Sequence, residues 1–142
     1  PVVVMLAAMI PVGQALETSG ISLNIANFIS SSTAGMAMPW LILMVLVITM
    51  FVSDIVNNAA TAVIMAPIAA NLAIQVGQPV EPFLMAVAVG ASCAFLSPIG
   101  HQCNTLVMAP GNYKFGDYWR LGLPLECVIV AISIPMILFV WT

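Results

Sequence analysis

The sequence predicts an all-α integral membrane protein, and three observations carry that expectation. Hydrophobic residues make up 63% of the chain and charged ones 5%. Mean hydropathy is +1.17. Residues 18–53, 55–80 and 82–113 carry no charge at all. A soluble domain is roughly one-quarter charged, so a water-soluble enzyme and a nucleic-acid binder are both excluded, and the lipid bilayer is the first partner. Strands are not expected, because an open sheet edge leaves peptide groups unpaired in hydrocarbon. The net charge of −3 rests on two Lys/Arg and five Asp/Glu and points to no partner. Cys93, Cys103 and Cys127 are odd in number and lack metal-ligand spacing, so neither a disulfide framework nor a metal centre is expected.

A helix must run for about 20 residues to cross ~30 Å of hydrocarbon. Residues 1–16 are a candidate span, already helix-like from Val2 with no basic leader and hence no signal peptide. Glu17-Thr18-Ser19-Gly20 ends it. Residues 21–29 place Ile21, Ile25, Phe28 and Ile29 on one face, with Ser22, Asn24 and Asn27 elsewhere, which suits a helix lying in the membrane interface. Residues 30–35 form a polar turn. Residues 39–53 are strongly apolar yet reach only about 22 Å as a helix, and residues 62–74 are a second short apolar run. Two short arms around a polar tip predict a re-entrant hairpin. Residues 77–82 are a surface loop. Residues 83–96 begin a helix that Pro98 and Gly100 interrupt, and residues 104–109 resume it. Residues 110–117 form an exposed loop. Residues 121–141 are a full span, with Tyr118, Trp119 and Trp141 placed as interfacial belts and with Lys114 and Arg120 at its start.

Chemistry concentrates in the two interruptions, Asn57-Asn58-Ala59-Ala60-Thr61 and Ser97-Pro98-Ile99-Gly100-His101-Gln102-Cys103-Asn104-Thr105. Polar side chains and broken backbone are tolerated at membrane depth only against protein or a water-filled cavity. Paired interruptions of this kind mark the substrate site of a secondary transporter. The helix starts near Asn58 and Asn104 would offer free N–H groups and partial positive charge to an anion. Carbonyls around Val56 and from Ser97 to Gly100 would suit Na⁺, and Asn57, Asn58 and Asn104 offer amide oxygens for the ion and NH₂ groups for the substrate. The candidate substrate-binding residues are therefore Asn57, Asn58, Ala59, Thr61, His101, Asn104 and Thr105, and the Na⁺ candidates are Val56, Asn58, Pro98 and Gly100. Asp54 is an ion ligand, a proton carrier or a structural acid. Glu126 reads as a packing acid.

Asn57-Asn58-Ala59-Ala60-Thr61-Ala62, followed by Pro67-Ile68, resembles the second Ser-Asn-Thr signature of the divalent anion:sodium symporter family. Residues 97–105 are similar to that family's broken-helix loop, and residues 111–118 to the loop after it. The wording is nearest to bacterial permeases with a citrate-transporter-like domain, and the likeness covers the whole chain. It implies the C-terminal half of an inverted-repeat transporter: residues 1–142 would be the C-terminal portion of one membrane transport domain whose N-terminal half is absent. It also implies a multi-pass protein of the bacterial inner membrane and an elevator-type homodimer binding Na⁺, as coupling ion, and a dianion between two hairpin tips. Asn58 falls on the signature asparagine, whereas Asn57 replaces the serine and Ala59 the threonine. His101 and Gln102 stand where the dicarboxylate carriers have Thr-Pro, so sulfate or another inorganic oxyanion is expected as readily as a C4 dicarboxylate or citrate. The alternatives are a Na⁺/H⁺ antiporter or oxyanion exporter of the same superfamily and, from another class, an intramembrane enzyme. Against the enzyme stands the lack of any Ser–His or metal-ligand constellation.

Overall fold

A computed structural model of the chain describes residues 18–32 and 35–141, together with Ala7, Pro11, Gln14 and Ala15. The span expected over residues 1–16 lies outside the described residues apart from those four positions. Six helices follow: α1 (Ile21–Ser32), α2 (Met38–Ile55), α3 (Asn58–Gln75), α4 (Glu81–Ser92), α5 (Gln102–Met108) and α6 (Phe115–Trp141). No strand occurs among the described residues, as the backbone argument requires. Gly20 ends the preceding turn with φ +69, a left-handed geometry that glycine adopts without a Cβ clash.

The chain doubles back with little spacer. Helix α2 ends when Val56 turns extended while its N–H still reaches Val52 O. Asn57, also extended, caps α3 by accepting from Ala60 N at 2.8 Å. The turn expected within residues 54–58 is therefore two residues, Val56 and Asn57. Both arms are longer than the sequence reading made them, because the polar residues flanking the tip join the helices. Asp54 and Ile55 extend α2, and Asn58 to Thr61 form the first turn of α3, where an Asn cap favours helix. Each arm has 18 residues. Among the described residues α2, α3 and α6 are long and apolar enough to cross a membrane, whereas residues 39–53 and 62–74 alone fall short.

Helices α2, α3 and α4 form the centre, with α1 laid against α3 and α6 against α2 and α4. Phe83, Ile42, Leu46 and Leu72 are the largest fully buried apolar side chains there. In lipid such packing is driven by close fit rather than by water. Gly90 provides that fit between α2 and α4: a Cβ there would stand 2.8 Å from Thr49 Cβ and 2.9 Å from Leu46 O.

Helix α1 turns most of its apolar face outward and packs through small residues. Ile21, Leu23, Ile25 and Phe28 are exposed, while Ser22 and Ala26 are fully buried and Ile29 packs partly on the core. Small residues let α1 approach α3 closely, where Asn71 Nδ2 lies 3.4 Å from Ser22 Oγ. In a membrane protein, large apolar side chains on the outside of the packed helices can meet lipid.

The broken helix breaks earlier than expected. Helix α4 stops at Ser92 rather than at residue 96, residues 93–101 are non-helical, and the seven-residue α5 begins at Gln102. Helix α6 starts six residues before the expected 121, at Phe115. There Asp117 Oδ2 accepts from Lys114 N at 2.8 Å, one half of a capping box.

Candidate functional site

The two interruptions, separated by some 40 residues of chain, pack on each other. From the tip, Ser53 Oγ lies 2.9 Å from Ala91 O and 3.0 Å from Asn58 Oδ1. One hydroxyl proton cannot serve both acceptors. With the Asn58 amide turned so that its NH₂ donates to Ser53 Oγ, and Ser53 donating to Ala91 O, both bonds are satisfied. One residue on, Asp54 Oδ1 accepts from Leu96 N at 3.0 Å, and Asp54 O accepts from Ser97 Oγ. Gly100 closes the contact. A Cβ at that position would come within 2.7 Å of both Ser53 O and Ala94 Cβ, and within 3.0 Å of Asp54 Cα.

The non-helical segment owes its shape to side chains that replace helical partners. Asn104 Nδ2 donates to Ala94 O at 2.9 Å and Ser97 O at 3.2 Å, while Thr105 Oγ1 donates to Pro98 O at 2.6 Å. Tyr118 of α6 donates its hydroxyl to Asn104 O at 2.7 Å. Helix α6 approaches this loop closely at Gly122, where a Cβ would collide with Phe95 O. One turn further on, the Glu126 carboxylate lies near the Phe95 backbone N–H and within electrostatic range of Asp54. Two acids from two helices thus face neighbouring peptide groups, 95 and 96, of the unwound segment, and Asp54 bonds its own.

The candidate residues fall into distinct roles. Asn58 and the Gly100 backbone both sit at the tip–loop contact through Ser53. Asn57 is exposed and Ala59 half-buried. Thr61 is fully buried. Exposed His101 caps α5 through Nδ1, accepting from Cys103 N at 3.2 Å. Asn104 and Thr105 spend their donors on the loop, and Pro98 O, bonded by Thr105, keeps one lone pair. Three buried oxygens among the described residues have no hydrogen-bond partner: Asp54 Oδ2, Glu126 Oε1 and Thr61 Oγ1. An unsatisfied buried acceptor costs about 1–3 kcal/mol. A cavity of about 310 Å³, lined by Phe95, Asn104, Tyr118 and Gly122 among others, opens between α5 and α6. Asn57, Asn58 and His101 do not line it.

Sequence reasoning missed Ser53 and Gly122, and took Ser97 for its backbone carbonyl alone. Ser97 left a signal: a hydroxyl directly before Pro98 in a segment that must turn. Ser53 and Gly122 left none, since a lone serine or glycine in an apolar helix is commonplace.

The capping role of Asn57 yields a prediction. Asn57→Ala should destabilise the folded protein by about 1 kcal/mol through loss of the α3 cap, and Asn57→Ser should restore it. Thermal unfolding in detergent of the two variants checks this; equal loss in both would remove the cap as its cause.

A helical membrane protein with two polar helix breaks packed together belongs, by architecture, among the polytopic transport proteins. Over all of residues 1–142 the chain matches the citrate transporter family, and it belongs to that family. It is 38% identical over 136 residues to an uncharacterized transporter of Synechocystis sp., covering 96% of this chain and 22% of that protein. It is 33% identical over 130 residues to a probable sodium/sulfate cotransporter of Chlamydomonas reinhardtii, covering 90% and 14%. It is 30% identical over 135 residues to a sodium-dependent high-affinity dicarboxylate transporter of Caenorhabditis elegans, covering 92% and 23%. The chain thus spans between 14% and 23% of the length of these relatives. Family and relatives are transporters rather than enzymes, and the apolar helices suit a multi-pass membrane protein.

Proposed function

We propose that the chain is the C-terminal part of one membrane transport domain that carries a divalent anion, sulfate, citrate or another dicarboxylate, in symport with Na⁺. The observation that supports this most is the packing of the 56–57 tip against the 93–101 segment, which joins both polar interruptions in one place. Depth supports a re-entrant hairpin. The tip and loop meet α6 around Gly122, its eighth residue, about 10 Å from the helix start at 1.5 Å per residue. In the same reading α1 lies in the interface, the N-terminal half of an inverted repeat supplies the opposing hairpin, and two copies assemble as a homodimer in the bacterial inner membrane.

The start of α3 provides the anion attraction. Asn57 Oδ1 takes Ala60 N, and Thr61 N bonds Asn57 O, so Asn58 N and Ala59 N remain for a ligand at the positive end of an 18-residue helix. Helix α5, seven residues long, adds less than the sequence reading assigned it. The Asn58 amide and the carbonyls of Val56, Pro98 and Gly100 are the proposed Na⁺ ligands. Relatives named for sodium/sulfate and sodium-dependent dicarboxylate transport support both the ion and the anion class. Uptake of radiolabelled sulfate, citrate and succinate by the full-length protein in proteoliposomes tests the reading. Accumulation driven by a Na⁺ gradient is expected; accumulation driven by a proton gradient alone would overturn Na⁺ coupling, and Na⁺/H⁺ exchange without anion uptake would favour an antiporter.

His101 should set which anion is preferred rather than whether transport occurs. His101→Thr keeps a capping oxygen for α5 and removes the exposed imidazole and its N–H donor. Competition uptake should then reorder sulfate, phosphate and dicarboxylates while Na⁺ dependence persists. An unaltered ranking would leave His101 as a cap alone.

A further inference from the structure

We propose that Ser97 is a positioning residue of the transport site, a latch that makes the hairpin tip and the broken-helix loop one binding unit. Its hydroxyl donates to Asp54 O at 2.6 Å and accepts from Ile99 N and Gly100 N, each at 3.2 Å. A serine hydroxyl has one proton and two lone pairs, and all three are used. Ser97 therefore has no capacity left for an ion or an anion and acts through what it holds.

What it holds lies on both sides of the site. Asp54 O is one of the last carbonyls of α2, which lose their intrahelical partners where the helix ends. Ser97 supplies the missing donor from more than 40 residues away. The same hydroxyl gathers the N–H groups of Ile99 and Gly100, bending the segment so that Gly100 lies against Ser53 and Asp54. Pro98, which has no N–H and a fixed φ, leaves Ile99 and Gly100 as the donors that close this turn. The companion bond, Asp54 Oδ1 from Leu96 N, fixes the segment's height but not the turn at residues 97–100.

The role of the latch in ligand affinity rests on the Na⁺/anion reading above, whereas its role in ordering the two segments does not. In the full-length transporter Ser97→Ala should raise the half-saturating concentrations of Na⁺ and of the anion together, each by roughly tenfold, with the maximal rate held. Ser97→Thr, which keeps the hydroxyl, should restore both. Amide exchange should rise in Ser97→Ala at Ile99, Gly100 and residues 56–57, and stay at the native rate in Ser97→Thr. Unchanged half-saturation alongside unchanged exchange would overturn the latch, and so would loss of maximal rate alone in both variants. If no Na⁺-driven uptake of any anion is found, the transport reading falls, and the exchange measurement still decides whether Ser97 joins the two segments.

Discussion

Gly100→Val should abolish Na⁺-dependent uptake in the full-length protein while leaving the helices folded. Even the first added carbon would stand 2.7 Å from Ser53 O and from Ala94 Cβ, and 3.0 Å from Asp54 Cα. Two of those neighbours are backbone and the third is a buried methyl, so none can swing aside. The loop must retreat from the tip, and the bonds from Leu96 N and Ser97 Oγ to Asp54 stretch or break with it. Overpacking of this kind costs about 1–3 kcal/mol, a loss that a protein of several spans survives but a binding site does not. Gly77→Ala is the control. Gly77 has φ +67 with nothing within 4 Å of an added Cβ, so it strains a surface turn and should leave uptake near native. Proteoliposome uptake normalised to monodisperse protein, read beside thermal unfolding, distinguishes the two. Wild-type uptake in Gly100→Val would mean that the tip and loop need not touch during transport.

The interruptions were legible because polar residues and Pro are so costly in hydrocarbon that their presence alone locates them. Asn57-Asn58 and Pro98-Ile99-Gly100 marked both breaks from sequence. Helix ends were less legible, since they are settled by partners distant in the chain. Residues 93–96 read as helix because Cys-Ala-Phe-Leu is apolar, yet Asp54 and Asn104 take the Leu96 N–H and the Ala94 carbonyl out of any helical pairing. The apolar face of α1 was legible from Ile21, Ile25 and Phe28, but its packed side was not, since Ser22 and Ala26 carry no sign in sequence that they are the buried ones. Tip–loop contact was expected from the two breaks, but the atoms making it, Ser53, Asp54 and Ser97, were invisible without coordinates. The likeness of Asn57 to the family's serine also gains a physical reading. Serine and asparagine are both strong N-caps, so the exchange preserves the start of α3 at this position.

Asn58→Ala should weaken Na⁺ and anion binding far more than it weakens the fold, and that split separates a ligand residue from a structural one. The amide is half-buried at the first position of α3, with Ser53 Oγ at 3.0 Å. Removing it does not strand Ser53, whose hydroxyl keeps Ala91 O at 2.9 Å as acceptor. The stability loss is therefore that of one ordinary hydrogen bond, about 0.5–1.5 kcal/mol. Binding loses more. An amide contact to an ion or dianion is charge-assisted, worth about 1.5–3 kcal/mol, which is roughly 10- to 100-fold in affinity at 1.4 kcal/mol per decade. Half-saturating Na⁺ should rise by that factor while the unfolding temperature stays within a few degrees of the native value. Asn58→Gln, with the amide displaced by one methylene, should retain the fold and recover little affinity. A variant that unfolds early and binds Na⁺ normally would invert the assignment, making Asn58 a strut between α3 and α2 and leaving the ion to the carbonyls of Val56, Pro98 and Gly100.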